Sequence, residues 1–249
     1  MMRLSILLVG PAALAFMAVV AAADEPPPRS THVTIDLGYV NTAGNSEIQT
    51  FTGSEKLEAL QGVWKLTLDA NAVWGTDHGV ENAGRYLAGV RGDRNLNPRF
   101  SIYALGAWRR NPIGGVERQF DEVVGLAYHE LFRKPQQLDL EAGVGLEASQ
   151  DLPQRSATAP QREAFGSGTL AAHYRYNFRE ATYFEANVRY LRNLKQSIDY
   201  EWVTRTAVVA PLSDHLAVNL AHDYSFRSVP LTGFKLWDST FAAGIQVGW

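Results

Sequence analysis

Apolar residues recur at every second position along much of this chain. In 63–76, Trp64, Leu66, Leu68, Ala70, Ala72 and Trp74 alternate with Lys65, Thr67, Asp69 and Asn71. Successive side chains of a strand point to opposite faces, so this period predicts a strand with one apolar and one polar face. The apolar face carries an aromatic at each end and aliphatics between. The last stretch, 236–249, repeats the pattern at greater length. Trp237, Ser239, Phe241, Ala243, Ile245, Val247 and Trp249 share one face, and Asp238, Thr240, Ala242, Gly244, Gln246 and Gly248 share the other. In 181–194, Phe184, Ala186, Val188 and Tyr190 oppose Glu185, Asn187 and Arg189. In 216–229, Leu216, Val218, Leu220, Tyr224 and Phe226 oppose Asn219, Asp223 and Arg227.

Reading the whole chain this way gives about twelve strands: 31–41, 47–59, 63–76, 83–93, 100–110, 118–130, 138–150, 164–177, 181–194, 199–212, 216–229 and 236–249. A tight turn around Gly44-Asn45 joins the first two. Strand 100–110 is ambiguous, because Phe100, Ile102, Ala104 and Trp108 compete with Tyr103, Leu105 and Ala107 for the apolar face. The connections alternate in length. Those at 61–62, 95–99, 133–137, 179–180 and 213–215 are brief, and those at 77–82, 111–117, 151–163 and 230–235 are longer. Short turns at the end holding both termini and longer loops at the other are the habit of outer-membrane barrels.

The expected fold is therefore all-β: a transmembrane antiparallel up-and-down β-barrel of about twelve strands, filling residues 31–249. A soluble periplasmic β-protein is the competing reading, but its strands would rarely run this long or stop on a tryptophan. Gly244, Val247 and Trp249 also resemble the C-terminal signal by which outer-membrane barrels are read by the barrel assembly machinery. Hydropathy close to neutral does not oppose a membrane site, since only alternate residues of a barrel strand meet lipid. No window beyond the first twenty-odd residues could span as a helix, so a closed barrel is the available way to cross.

Met1 to Ala23 has one basic residue, Arg3, an apolar run from Leu4 to Val20, and the small-residue site Ala21-Ala22-Ala23. That layout predicts a signal peptide, cleaved near Ala23. Pro11 and the alanine-rich end argue against a membrane-spanning helix. Residues 24–30, with Pro26-Pro27-Pro28, form a stiff linker. The chain has no cysteine, which excludes a lipoprotein anchor and any disulfide. A net charge of −3 gives no case for a nucleic-acid partner. The expected location is the bacterial outer membrane.

Thr42-Ala43-Gly44-Asn45-Ser46-Glu47, Asn97-Pro98-Arg99-Phe100-Ser101-Ile102-Tyr103-Ala104 and the tail from Pro211-Leu212-Ser213-Asp214-His215-Leu216 through Asp238-Ser239-Thr240 to Trp249 are similar to a domain family of unknown function. Its members are called putative salt-induced outer-membrane proteins. The resemblance spans 31–249. It implies an outer-membrane barrel linked to salt or osmotic conditions, with no catalytic motif to transfer. A terminal tryptophan stands here where that family commonly has phenylalanine.

The chemistry carried by the pattern is modest. No phosphate loop, metal-binding helix motif or calcium loop occurs, and no cofactor is expected. The polar faces put Asp69, Glu141, Glu185, Asp223, Arg175, Arg189 and Arg205 into the lumen. Near-equal numbers of the two signs predict crossed ion pairs and an occluded interior, hence a structural or narrow-channel protein rather than a selective pore. Arg109, Arg110, Arg118, Arg192, Lys195 and Arg227 fall near the outer rim, at the height of lipopolysaccharide phosphates, which guanidinium groups bind well. Lipid and lipopolysaccharide are thus the expected surroundings. An outer-membrane lipid hydrolase is the alternative from another class. His222 lies on the apolar face between Leu220 and Tyr224, and Ser239 is outward on the next strand. Counted from the strand ends, however, His222 lies level with Ala243, out of hydrogen-bond reach of Ser239.

Overall fold

Twelve antiparallel strands close on themselves in the computed structural model, which describes residues 29–41, 48–112, 115–130, 135–151, 162–179, 182–230 and 235–248. They are β1 (Arg29–Asn41), β2 (Ile48–Gln61), β3 (Trp64–Asp77), β4 (Val80–Asn97), β5 (Phe100–Asn111), β6 (Val116–Glu130), β7 (Gln136–Asp151), β8 (Arg162–Asn177), β9 (Tyr183–Asn193), β10 (Tyr200–Pro211), β11 (Leu216–Arg227) and β12 (Trp237–Gly248). Each strand pairs with its sequence neighbours, and β1 pairs with β12 to complete an up-and-down barrel. Residues 1–28, the turn at Gly44-Asn45, residues 152–161 of the longest connection, and Trp249 lie outside the described residues. The end where β1 starts and β12 finishes is called the terminal end below.

Alternation decides which way each strand faces. On β3, Leu66, Leu68 and Trp74 are exposed while Lys65, Thr67, Asp69 and Asn71 turn to the lumen. The same parity leaves Val124, Leu126, Val144, Leu146, Leu170 and Leu220 more than half exposed around the wall. Rows of aromatics bound this apolar belt. At the terminal end Phe100 packs on Tyr128 and Tyr176 on Phe178, with ring centroids 5.0 and 5.1 Å apart. At the opposite end Tyr190, Tyr200, Trp202 and Phe226 form a chain of contacts at 4.7–6.1 Å. No helix among the described residues is long and apolar enough to cross a membrane, a statement that leaves strands untouched.

The ambiguous strand, β5, turns Phe100, Ile102, Ala104 and Trp108 outward and buries Tyr103 in the lumen at 5 % exposure. Glycines explain this. A Cβ at Gly125 or Gly143 would come within 2.7 Å of the Tyr103 phenol. The ring therefore lies over backbone that only glycine leaves free, and with Val123 and Ala127 it makes a small apolar core inside the barrel.

One turn is tighter than the sequence pattern suggests. β3 and β4 are joined through His78 and Gly79, both at positive φ (49° and 76°). That is the geometry of a two-residue hairpin whose twist matches its strands. The expected loop 77–82 is shortened accordingly, since β4 already begins at Val80. The closing seam is short: β1 and β12 pair only from Thr34–Gly248 to Leu37–Ile245, whereas β1 and β2 pair from Arg29–Gln61 to Asn41–Gln49.

Candidate functional site

The lumen is where the polar faces of all twelve strands converge, and it is filled unevenly. Towards the terminal end it opens into a cavity of about 350 Å³. Lys56, Glu58, Lys65, His129, Asp139 and Arg175 line its walls. Lys65 and Lys56 both hold Glu58, at 2.6 and 3.2 Å. His129 Nδ1 lies 2.7 Å from Asp139 and its Nε2 lies 3.0 Å from Ser101 Oγ.

The cavity narrows at a network that crosses the barrel. Arg91 on β4 binds Asp93 two residues along its own strand, at 2.7 Å, and reaches over to Glu141 on β7 at 2.8 Å. Its guanidinium carbon sits 4.1 Å from the centroid of the Tyr103 ring. His173 on β8 approaches Glu141 at 3.4 Å and is held on its other nitrogen by Asn187 at 2.8 Å. An arginine held by two carboxylates and a ring face has its orientation fixed from three sides.

Nearer the opposite end a second knot spans the lumen from β5 to β10. Arg109 bonds Glu201 at 2.8 Å and Asp121 at 3.2 Å. Gln119 donates to the other oxygen of Asp121 at 3.1 Å. Asp121 is 1 % exposed and Glu147, beside them, 4 %. Arg227 stands opposite Glu201 in the ladder. Glu147 Oε2 has no hydrogen-bond partner among the described residues, a position that suits an ordered water.

Of the charges expected in the lumen, one neighbour pair forms and others take different partners. Arg205 binds Asp223 across the β10–β11 ladder at 3.0 Å. Arg175 stands in register with Glu185, yet its guanidinium lies 3.5 Å from the Tyr183 ring and donates to Asn177. Glu185 and Arg189 make no ion pair among the described residues. Asp69 lies against Gly89, where a Cβ would be 2.6 Å from the carboxylate. Alternation already turns Arg91 and Arg109 inward, but their pairing with Glu141 and Glu201 across the barrel is not readable from single strands.

The rim residues divide. Arg109 and Arg227 are lumen groups, because their parity on β5 and β11 is inward, and Arg109 is consumed by Glu201 and Asp121. Arg110, Arg118, Arg192 and Lys195 are at the opposite-end rim. Arg110 approaches Glu117 at 3.6 Å, and Arg118 donates to Gln150 at 2.6 and 3.0 Å. Of the C-terminal signal, Gly244 and Val247 lie on β12, and Trp249 is outside the described residues.

The outer wall corrects one distance. His222 pairs with Phe241, and Tyr224 with Ser239, so the register is displaced by two residues from a count made along the strand ends. Ser239 becomes the diagonal neighbour of His222, with Ser239 Oγ 2.8 Å from His222 Nε2. The imidazole also stacks on Phe241, centroids 4.2 Å apart. Among the described residues no acidic group binds the other ring nitrogen, and no group of His, Cys, Asp and Glu is arranged to hold a metal ion.

The barrel has the architecture of bacterial outer-membrane proteins. The chain belongs to the family described as a protein of unknown function, DUF481, whose model matches residues 35–249. An outer-membrane channel from Pseudomonas putida F1 has a similar structure at 8 % identity, covering 92 % of this chain and 100 % of that one, with a TM-score of 0.50. The NanC porin covers 87 % and 97 % at 8 % identity and 0.46. The translocator domain of the autotransporter NalP from Neisseria meningitidis covers 96 % and 92 % at 11 % identity and 0.44. No curated protein matches the chain.

Proposed function

We propose that this chain is an outer-membrane barrel, exported by removal of Met1–Ala23, that acts as a structural or narrow-channel envelope protein. The observation that carries the reading is the knot of Arg109, Asp121, Glu147 and Glu201. It spans the lumen beyond a cavity near the terminal end, inside a wall whose exposed face suits lipid. Arg110, Arg118, Arg192 and Lys195 would meet lipopolysaccharide phosphate at the rim. Gly244, Val247 and Trp249 would be read by the assembly machinery. The family resemblance adds a link to salt, checked by comparing the amount of protein in outer membranes from cells grown at low and high salt. The functional test is solute flux. Vesicles holding the purified barrel should swell no faster in disaccharide than empty vesicles, and rapid swelling would overturn the reading. Intact mass should begin at Asp24, in the outer-membrane fraction.

A second reading is favoured by one contact. Ser239 Oγ within 2.8 Å of a histidine nitrogen, on the lipid side of the wall, is the start of a nucleophile–base pair, and would make the protein a lipid hydrolase. The missing acid counts against it in the single chain. Release of fatty acid from phospholipid vesicles that disappears in Ser239→Ala would establish it.

A further inference from the structure

Glu55 interrupts the outward face of β2. Phe51, Gly53, Leu57 and Ala59 share that face, and Glu55 stands exposed among them. It pairs in register with Ile35 on β1 and Ala70 on β3. Ala70 is the fourth of six outward positions on β3 counted from the terminal end, between Trp64 and Trp74. The carboxylate is thus well inside the apolar belt, and among the described residues it has no hydrogen bond or ion pair. Ionisable groups at such depth are costly and characteristically find a partner. The other outward glutamate of this kind, Glu122, is beside Phe120, which pairs with Trp108 in the opposite-end aromatic row. From there it can extend to the headgroup region. Glu55 has no such exit.

A complementary group lies on the same wall, the same number of outward positions from the terminal end. His222 is the fourth of six outward positions on β11 from the terminal end. Nε2 lies 2.8 Å from Ser239 Oγ; in the tautomer in which it accepts from that hydroxyl, Nδ1 carries the hydrogen and has no partner among the described residues. Within one chain the two groups cannot meet, because β12 and β1 separate β11 from β2, three strand spacings or roughly 14 Å. Their placement on either side of the β12–β1 seam is what a two-fold axis requires.

We propose that a second copy of this chain covers the wall β11–β12–β1–β2, related by a two-fold axis that runs along the β12–β1 seam, parallel to the barrel axis. Rotation about that axis sets β2 of one subunit against β11 of the other. His222 of each subunit then donates from Nδ1 to the Glu55 carboxylate of its partner, and the contact forms twice, as an isologous interface demands. A second copy brings both complementary groups and so satisfies both at once. The exposed Leu37 and Phe241, at 52 % and 75 %, supply apolar surface beside the axis. The contact also sets a carboxylate beside the imidazole of the Ser239–His222 pair, though the dimer does not depend on that pair being catalytic.

The chain has no cysteine, so a single introduced thiol reports proximity cleanly. Leu37→Cys, near the axis, and Val144→Cys, on β7 and 59 % exposed, are treated with a short bis-maleimide in native outer membranes. Leu37→Cys should give a species of twice the chain mass and Val144→Cys should not. Adding Glu55→Leu or His222→Phe to Leu37→Cys should cut the cross-linked fraction several-fold. Both changes suit a lipid-facing position, so the barrel still folds, and heat-modifiable migration on gels verifies it. Absence of the Leu37→Cys dimer, equal cross-linking of both thiols, a product of another mass, or a yield indifferent to Glu55→Leu would each overturn the proposal.

Discussion

At the scale of single residues, glycines set how closely the backbones meet. Gly244 sits at the seam, where an added Cβ would be 2.6 Å from the Leu37 carbonyl oxygen. The β1–β12 ladder is the shortest in the wall, so little else can absorb a shift there. Gly244→Ala should destabilise the closed barrel by about 1–3 kcal/mol, read as a lower temperature for loss of the compact band on gels. Gly106→Ala is the control, since its Cβ would meet only Val90 at 3.7 Å and should change little. Arg109 is the charged counterpart. Arg109→Ala strips the guanidinium from Glu201 and Asp121 and leaves those buried carboxylates without a bonded cation, Arg227 standing only opposite Glu201 in the ladder, at a cost of about 3–5 kcal/mol. Urea unfolding in detergent would measure it. A loss below about 1 kcal/mol, the level of an exposed pair, would mean the knot is solvated.

At the scale of the strand, alternation carried most of the information. β3 could be read directly because its two faces differ in polarity at nearly every position. Leu68→Arg points a charge at lipid and should cost about 2–4 kcal/mol near the midplane. Thr67→Arg, one residue away, opens into the cavity beside Glu58 and should cost much less, so equal losses in a folding titration would contradict the assigned faces. β5 could not be read in this way, because Tyr103 and Leu105 are as apolar as the residues they oppose. What settles its direction is the bare backbone of Gly125 and Gly143 two strands' width around the wall, information that no single strand contains. Register was the other gap. A two-residue displacement between β11 and β12 left both face assignments intact and still moved Ser239 from out of reach to contact with His222. Strand faces depend only on parity, while contacts between strands depend on the exact offset.

At the scale of the whole molecule, the closed twelve-strand order was legible in the sequence and the lumen wiring was not. Arg91–Glu141 and Arg109–Glu201 join residues 50 and 92 positions apart, through an interior whose geometry exists only once the barrel closes. About twelve strands leave an interior between one filled by side chains and an open aqueous channel, so occupancy decides. Here the Arg91 network and the Arg109 knot stand in series along the axis. Planar-bilayer recordings of the purified barrel should therefore show small or no steady currents, with weak ion selectivity. Arg109→Ala removes the cation and the bulk of the knot but leaves Asp121, Glu147 and Glu201 around the constriction. A ring of carboxylates favours cations, so the variant should pass larger currents with a reversal potential shifted towards cations in a salt gradient. Restoring a large side chain without charge, as in Arg109→Met, should bring the current down again while the selectivity stays cationic. Large, steady, selective currents from the unaltered barrel would show that the lumen opens as a pore despite the knot.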